Sequence, residues 1–298
     1  MFTSIVRLVR TLACLSALLP VCVAAQDTPP SFSKEQIDQM VAPIALYPDS
    51  LLSQILMAAT YPADVAEAAK WSKANPKASG EEAVKSVESQ SWDPSVKALV
   101  AFPQVLNMMG DKPDWVQNLG DAFLASSKDV LDSAQRLRAQ AKQAGNLEST
   151  QQQKIVVEAS PEQPTTQVIK IEPADPQVVY VPSYNPTVVY GTWPYPAYPP
   201  YYYPPPPAYY PGYALASGVA FGVGVGITAA LWSDCDWGGG DVDIDVDRYN
   251  EINRNAQIDR SKTKFEHNAG NRRGVPYRDS KSRQQYGKNV AGAAERSN

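Results

Sequence analysis

Chemically reactive side chains are scarce in this sequence. It has three cysteines and one histidine in 298 residues, and Cys14 and Cys22 fall in an N-terminal stretch that reads as a leader to be removed. The mature chain would keep only Cys235, so an internal disulfide is excluded and stability must come from packing. A linked dimer stays open. One histidine and one cysteine cannot assemble a usual tetrahedral zinc site. Cys235 stands between Asp234 and Asp236, whose charges oppose a thiolate and argue against a reactive nucleophile. His267 lies in polar, low-complexity sequence and reads as a solvated side chain rather than a general base. There is no phosphate-binding loop, and Gly222-Val-Gly-Val-Gly226 lacks the strand and helix spacing of a dinucleotide site. No cofactor is expected. With 19% charged and 44% hydrophobic residues, whole-chain disorder and a multi-span membrane protein are also excluded.

Charge and proline are present but unevenly spread. Residues 26–147 carry a net −4, 148–247 carry −9 and 248–298 carry +7. The basic tail has Gly, Asn, Ser and Gln between its charges, which points to a solvated segment and not to a reader of nucleic acid. At the other end, Arg7 and Arg10 precede an apolar run from Leu12 to Val23, with Val23 and Ala25 at the −3 and −1 positions of a cut before Gln26. That pattern predicts a secretory signal peptide over 1–25. The run is shorter than the ~20 residues of a membrane span.

From Phe32 to Leu147 apolar residues recur at helical spacing, as in Leu51, Leu52, Ile55 and Leu56, and again in Val130, Leu131, Ala134 and Leu137. Pro48, Pro62 and Pro94 mark boundaries, with Asp49 and Asp93 as N-caps. Gly145 ends the last helix, where Arg136, Arg138 and Lys142 would favour the exposed carbonyls. The spacing predicts an all-α domain over 32–147, with enough aromatic residues for its own core. Then 151–191 turns to β-branched alternation. Gln177-Val-Val-Tyr-Val181 and Thr187-Val-Val-Tyr190 read as two strands joined by a proline-bounded turn, within a short β arm that needs a partner surface.

Residues 193–213 hold nine prolines and eight tyrosines. Polyproline II is their natural state, and at ~3.1 Å per residue they would make a stiff spacer of roughly 60 Å. The tyrosines are alternatively a stacking surface for glycans or proteins. Residues 214–232 carry no charge, and Gly218, Gly222 and Gly226 stand four apart, the spacing of a glycine-zipper helix that contacts a membrane or another copy. Asp241, Asp243, Asp245 and Asp247 alternate with aliphatics, which in an extended chain puts four carboxylates on one face. Such a face attracts hard cations, although the frame is not that of an EF-hand; a solvated strand, or one that partners the basic tail, is the other reading. The 233–298 region is expected to be this acidic ladder followed by a disordered tail.

Acid pairs offer the one enzymatic route, because glycoside cleavage needs two carboxyls at the right separation. Asp49, Asp64, Glu67 and Asp93 are available, each at a helix start where capping also explains it. No catalytic residue can be assigned.

Long phrases in the chain, Ala42-Pro-Ile-Ala-Leu-Tyr-Pro-Asp-Ser-Leu-Leu52, Trp92-Asp-Pro-Ser-Val-Lys-Ala-Leu-Val-Ala-Phe-Pro103 and Val179-Tyr-Val-Pro-Ser-Tyr-Asn-Pro186 among them, resemble the bacterial envelope family called "domain of unknown function 3300". The likeness runs from about 35 to 191, and Arg272-Arg-Gly-Val-Pro-Tyr-Arg278 is similar to a phrase that recurs there. The resemblance implies a secreted Gram-negative envelope protein and no particular activity. The expectation is therefore a mainly α protein, periplasmic or outer-envelope associated. It would be a non-enzymatic scaffold or interaction module whose partners are a membrane, itself, an envelope protein or peptidoglycan. A carboxylate-based cell-wall hydrolase and a tyrosine-built glycan-binding module are the alternatives.

Overall fold

The structure, a computed structural model, describes residues 32–159, 167–205, 209–210, 219–226, 232–253 and 257–287. Eight helices form its first half: α1 (Lys34–Val41), α2 (Asp49–Ala59), α3 (Pro62–Ala74), α4 (Gly80–Ser86), α5 (Pro94–Leu99), α6 (Pro103–Gly110), α7 (Pro113–Ala125) and α8 (Ser127–Gln143). The prolines read in the sequence mark three of their starts, Pro48 before α2, Pro62 in α3 and Pro94 in α5. Ser33 and Gln36 make a reciprocal capping box at α1. Proline opens α3, α5, α6 and α7 at the first turn, where its missing N–H costs nothing. Helix α2 is the central element, with Leu51 to Ala59 wholly buried against α3, α5 and α7. Helix α7 lies so close that a Cβ on Gly120 would stand 2.1 Å from Ala59 O.

Two sequence assignments inside this domain change. Asp49 is not a cap; Pro48 holds that position and Asp49 is the first helical residue. Arg136 and Arg138 do not neutralise the end of α8. Arg136 pairs with Asp38 at 2.6 Å. Arg138, with no exposed surface, donates to Ala45 O (2.8 Å), Tyr47 O (3.0 Å), Ile169 O (2.9 Å) and Asp49 Oδ1 (2.6 Å). Its guanidinium also lies 4.7 Å from the centre of the Trp237 ring. A rigid fork of five donors suits this cluster of carbonyls from the α1–α2 turn and from a strand that follows α8.

The arm begins with the antiparallel hairpin of β1 (Gln153–Ala159) and β2 (Gln167–Pro173), paired Ile155 to Ile171. Strand β2 lies on α2 and α8. After it, β3 (Val178–Val179) and β4 (Pro182–Tyr184) do not pair with the next Val-Val-Tyr. Thr187–Tyr190, expected as a strand, falls largely in a one-turn helix, α9 (Pro186–Val189). Asn185 Oδ1 accepts the Thr187 N–H at 3.0 Å, and with Pro186 behind it this start signal overrides β-branched propensity. Tyr184 and Tyr190 both donate to Ala42 O, at 3.0 and 2.6 Å, which ties the arm to α1.

The stiff spacer is also corrected over 193–205, residues 206–208 and 211–213 lying outside the described residues. Within 193–205 the chain folds back: Trp193 Nε1 donates to Tyr198 O at 2.9 Å. Gln39 on α1 donates to Pro199 O at 2.7 Å, and Tyr203 meets the edge of Trp115 on α7 at 5.4 Å. Amphipathic rings with no fixed repeat find apolar surface on their own domain.

The glycine-zipper helix is not formed where the chain is described. Gly218 lies outside the described residues; Gly222 and Gly226 lie in extended chain, in and between β5 (Val219–Phe221) and β6 (Val225–Gly226). Strand β5 pairs with β4, and β6 with β3. Each glycine inside a helix would cost about 1 kcal/mol, whereas here small size permits close approach. A Cβ on Gly224 would stand 2.6 Å from Val178 Cγ1. Among the described residues no helix is long and apolar enough to cross a membrane.

The acidic stretch forms β8 (Val242–Ile244), antiparallel to β7 (Trp232–Cys235), and turns its aliphatics inward as the alternation predicts. The ladder ends at Asp245, whose side chain caps α10 (Val246–Ile252). The disordered tail is corrected for the residues described, 254–256 and 288–298 lying outside them. Residues 248–253 and 257–287 lie on the helical domain, where Arg248 is clamped by both Glu81 oxygens at 2.6 Å. A short 3-10 turn follows at Ala269–Arg272, and then α11 (Ser280–Tyr286), capped by Asp279.

Candidate functional site

Three buried acids from separate helices meet the returning tail. Asp64 stands in the first turn of α3, Asp93 caps α5 and Asp121 lies within α7. Asp64 Oδ2 accepts the Asp93 N–H at 2.8 Å. Asp93 Oδ1 accepts from Ser95 N–H (3.0 Å) and Ser95 Oγ (2.7 Å), and its Oδ2 accepts from Asn271 Nδ2 at 3.1 Å. The tail delivers two arginines in succession. Arg273 Nε lies 2.9 Å from Asp64 Oδ1 and Nη1 lies 2.7 Å from Glu67 Oε2, while Nη2 donates to Ser91 Oγ at 2.7 Å. Arg272, fully buried, pairs with Asp121 at 2.5 Å. It also donates to Thr60 O, Val275 O and Pro276 O at 3.2, 2.9 and 3.2 Å.

Backbone conformation lets neighbouring arginines enter different slots. Arg273 has φ 51° and Gly274 φ 80°, so the chain reverses between them and Tyr277 returns beneath Arg272, 4.0 Å from its guanidinium to the ring centre. Left-handed backbone at a residue with a side chain is unfavourable on its own and is held here by the ion pairs on both sides. His267 completes the contact. It stacks on Tyr61 at 5.1 Å, shares a hydrogen bond with Tyr277 Oη at 2.8 Å and another with Thr60 Oγ1 at 3.2 Å.

Burial dominates the titration of this site. It pushes the Asp64 carboxyl up to about 6, against the pull of the Asp93 N–H and Arg273, and it raises Asp93 as well. Glu67 is lowered by its bond from Trp92 Nε1 and by Arg273. Burial, helped by nearby Arg272, pushes His267 down to about 3, so the ring is neutral. A pair of neighbouring carboxyls whose pKa values are both raised is the pattern of an acid–base site. This pair faces tail side chains instead of open solvent, and its geometry is that of a lock.

The other proposed site residues are dispersed. Asp241 pairs with Lys264, Asp245 accepts the Arg248 N–H at 3.0 Å, and Asp247 pairs with Arg260 at 3.0 Å. Asp243 lies in β8, bridged through its backbone to Lys264. Asp241 and Asp247 thus partner cations of the basic tail, in line with one of the two readings weighed against a metal. Among the described residues no three His, Cys, Asp or Glu side chains converge as a metal site would require. Asp49 sits apart from the other helix-start acids, on Arg138. Cys235 is buried, with its Sγ 2.6 Å from Ser53 Oγ, and His267 is not a solvated side chain. The sequence reading missed Arg272, Arg273 and Asp121. The signal available was the charge gradient itself, acidic helices followed by a basic tail with a Gly-Val-Pro turn.

Fold and site together define a mainly α chain in which residues of the basic tail pack on three acidic helices through an arginine pair. The chain belongs to the family described as "Protein of unknown function (DUF3300)", whose model matches residues 33–273, from the α1 cap through both arginines. That span is longer than the resemblance first read, and it takes in the glycine-rich strands and the acidic stretch. The chain is similar to "Uncharacterized protein YacH" of Escherichia coli (strain K12), with 42% identity over 320 residues covering 87% of this chain and 52% of that protein. It thus spans about half the length of this curated relative. No solved structure matches.

Proposed function

We propose that the chain is a non-enzymatic secreted protein of the bacterial cell envelope, a periplasmic or outer-envelope scaffold that works by binding and by self-association. One observation carries the binding half of this reading: the acids that would do chemistry are taken up in closing the fold. Asp64, Asp93 and Asp121 are each engaged by tail residues. The leader pattern over 1–25 supports export. Partners of the protein class or peptidoglycan fit better than nucleic acid, because Arg248, Arg272, Arg273 and Arg278 pair with acids of the same chain. Fractionation of cells making the full chain tests the location; recovery with periplasm or envelope is expected, and recovery in the cytoplasm overturns it.

A second reading has its own observation. Trp193, Tyr195, Tyr201 and Tyr203 form ring contacts along the folded-back segment, a partly exposed strip of the kind that stacks on sugars. Retention on purified sacculi, lost on Tyr195→Ser with Tyr201→Ser, is the expected result if the strip binds glycan. Equal retention of the variant rejects it.

A further inference from the structure

A cleft opens where the arm meets the helical domain. Pro43 and Tyr47 line it from the turn after α1, Met108 from α6, Pro182 and Ser183 from β4, and Tyr203 from the folded-back segment. Two of these side chains break a common rule. Tyr47 is 6% exposed and Ser183 7%, yet neither hydroxyl has a hydrogen-bond partner among the described residues, and neither oxygen is sealed from solvent. Buried hydroxyls nearly always find a partner within the fold. Tyr184, edge-on to Tyr47 at 6.5 Å, shows the usual case: its hydroxyl donates to Ala42 O at 3.0 Å and accepts the Leu46 N–H at 3.2 Å. Burial pushes the Tyr47 hydroxyl well above its ordinary range, so it keeps its proton and stands ready to donate it to an acceptor.

The lining restricts what can enter. None of its residues carries a charge, so a carboxylate, a phosphate or an ammonium would lose its hydration with no counter-charge in return. The cleft measures about 240 Å³ out to its mouth, less than the ~300–1,000 Å³ of a pocket that encloses a whole small ligand. One neutral substituent of a larger molecule fits. Two hydroxyl donors match a carbonyl oxygen, which has two lone pairs, and the proline and methionine walls match an apolar group beside it. Tyr203 joins the cleft to the aromatic strip: it stacks on Tyr201 at 6.2 Å, and Tyr201 is 37% exposed. We propose that the cleft is a subsite for the acetamido group of an N-acetylated amino sugar in a glycan that lies along that strip. The acetamido carbonyl accepts from Tyr47 and Ser183, and the methyl group packs on Pro43, Pro182 and Met108. The inference rests on the second reading above, to which it adds the class of sugar.

Calorimetric titration of the purified chain with three linear tetrasaccharides tests it: the tetramer of N-acetylglucosamine, that of glucosamine and that of glucose. The acetylated tetramer should bind about tenfold more tightly than the other two. Tyr47→Phe removes one donor and no contact within the fold. Its melting temperature should therefore match that of the starting chain, while its affinity for the acetylated tetramer falls about fivefold and that for the glucose tetramer is unchanged. Ser183→Ala should act likewise, and Tyr201→Ser should weaken all three sugars alike. Equal binding of the three sugars, or a Tyr47→Phe chain that binds the acetylated tetramer as before, overturns the proposal and leaves the strip standing as a glycan site. A proline-rich peptide that binds through Tyr47 in place of the sugar gives the cleft to a protein partner and overturns it as well. So does no binding of the acetylated tetramer, and the sacculus assay of the strip variant then decides the second reading separately.

Discussion

Arg273 Nε stands 2.9 Å from Asp64 Oδ1, joining the tail to the first turn of α3, with the acid fully buried and the arginine partly exposed. Removing one member of such a pair costs more than removing both, because an unpartnered buried charge remains. Arg273→Ala should lower unfolding stability by about 2–4 kcal/mol. With Asp64→Asn already present, the same change should cost less, leaving a coupling of about 1–3 kcal/mol in a double-mutant cycle. Denaturant unfolding of the four proteins measures it; additive losses would show that the pair contributes nothing specific.

Arg272 should be less replaceable still. Its guanidinium reaches Asp121 and three carbonyls while lying on Tyr277, and an ammonium offers neither the planar fork nor the stacking face. Arg272→Lys is expected to cost about 3 kcal/mol and to expose the tail to protease near residue 272 before the helical domain is cut. Limited proteolysis followed by mass measurement reads both parts. Cleavage first within α2 or α7 would mean that the tail does not close the domain.

How much of this was legible depended on the range of the signal. Asp93 before Pro94 is a local pair, and the helix it starts appears where the sequence puts it. The inward turn of Val242 and Ile244 follows from a period of two. What sequence alone did not reveal is set by distant partners. Gly222 to Gly226 satisfies a helical spacing and a strand alternation equally, and the choice is made by β3 and β4. Composition marked the tail as disordered because it is poor in apolar residues, yet its ordering comes from Arg248 on Glu81 and Arg272 on Asp121, contacts that leave no local pattern.

Acid should act on the lock in two opposing ways. His267, at about 3 in the fold against 6.5 ordinarily, is neutral when folded and binds a proton more readily when unfolded. Its contribution is complete above 6.5 and is lost as pH falls from there toward 3. Asp64, raised from 3.8 to about 6, works the other way: its contribution is present at low pH and is lost as pH rises through 3.8 to 6. Asp64→Asn should therefore steepen the fall in stability between pH 6.5 and 4, and His267→Phe should flatten or reverse it. Thermal melts across that range decide it. Parallel curves for all three proteins would mean that neither group differs between folded and unfolded chain.

The crossing of α2 and α7 gives the sharpest steric test. Gly120 is helical, so alanine there would ordinarily stabilise an exposed helix by about 1 kcal/mol. Here the new Cβ would stand 2.1 Å from Ala59 O and 2.8 Å from Thr60 N, backbone atoms that cannot rotate aside. The helices would have to separate by an ångström or more, loosening Leu119 and Phe123 from the core they share with α2. Thr60 is also where the lock attaches, through its carbonyl to Arg272 and its hydroxyl to His267. Gly120→Ala should thus destabilise by about 1–3 kcal/mol and speed hydrogen exchange in the tail as well as in α7. Gly145→Ala should also destabilise, because φ there is +75°, yet with nothing within 4 Å of the added carbon it should leave tail exchange unchanged. Equal exchange in the two variants would show that the crossing and the lock are not mechanically joined.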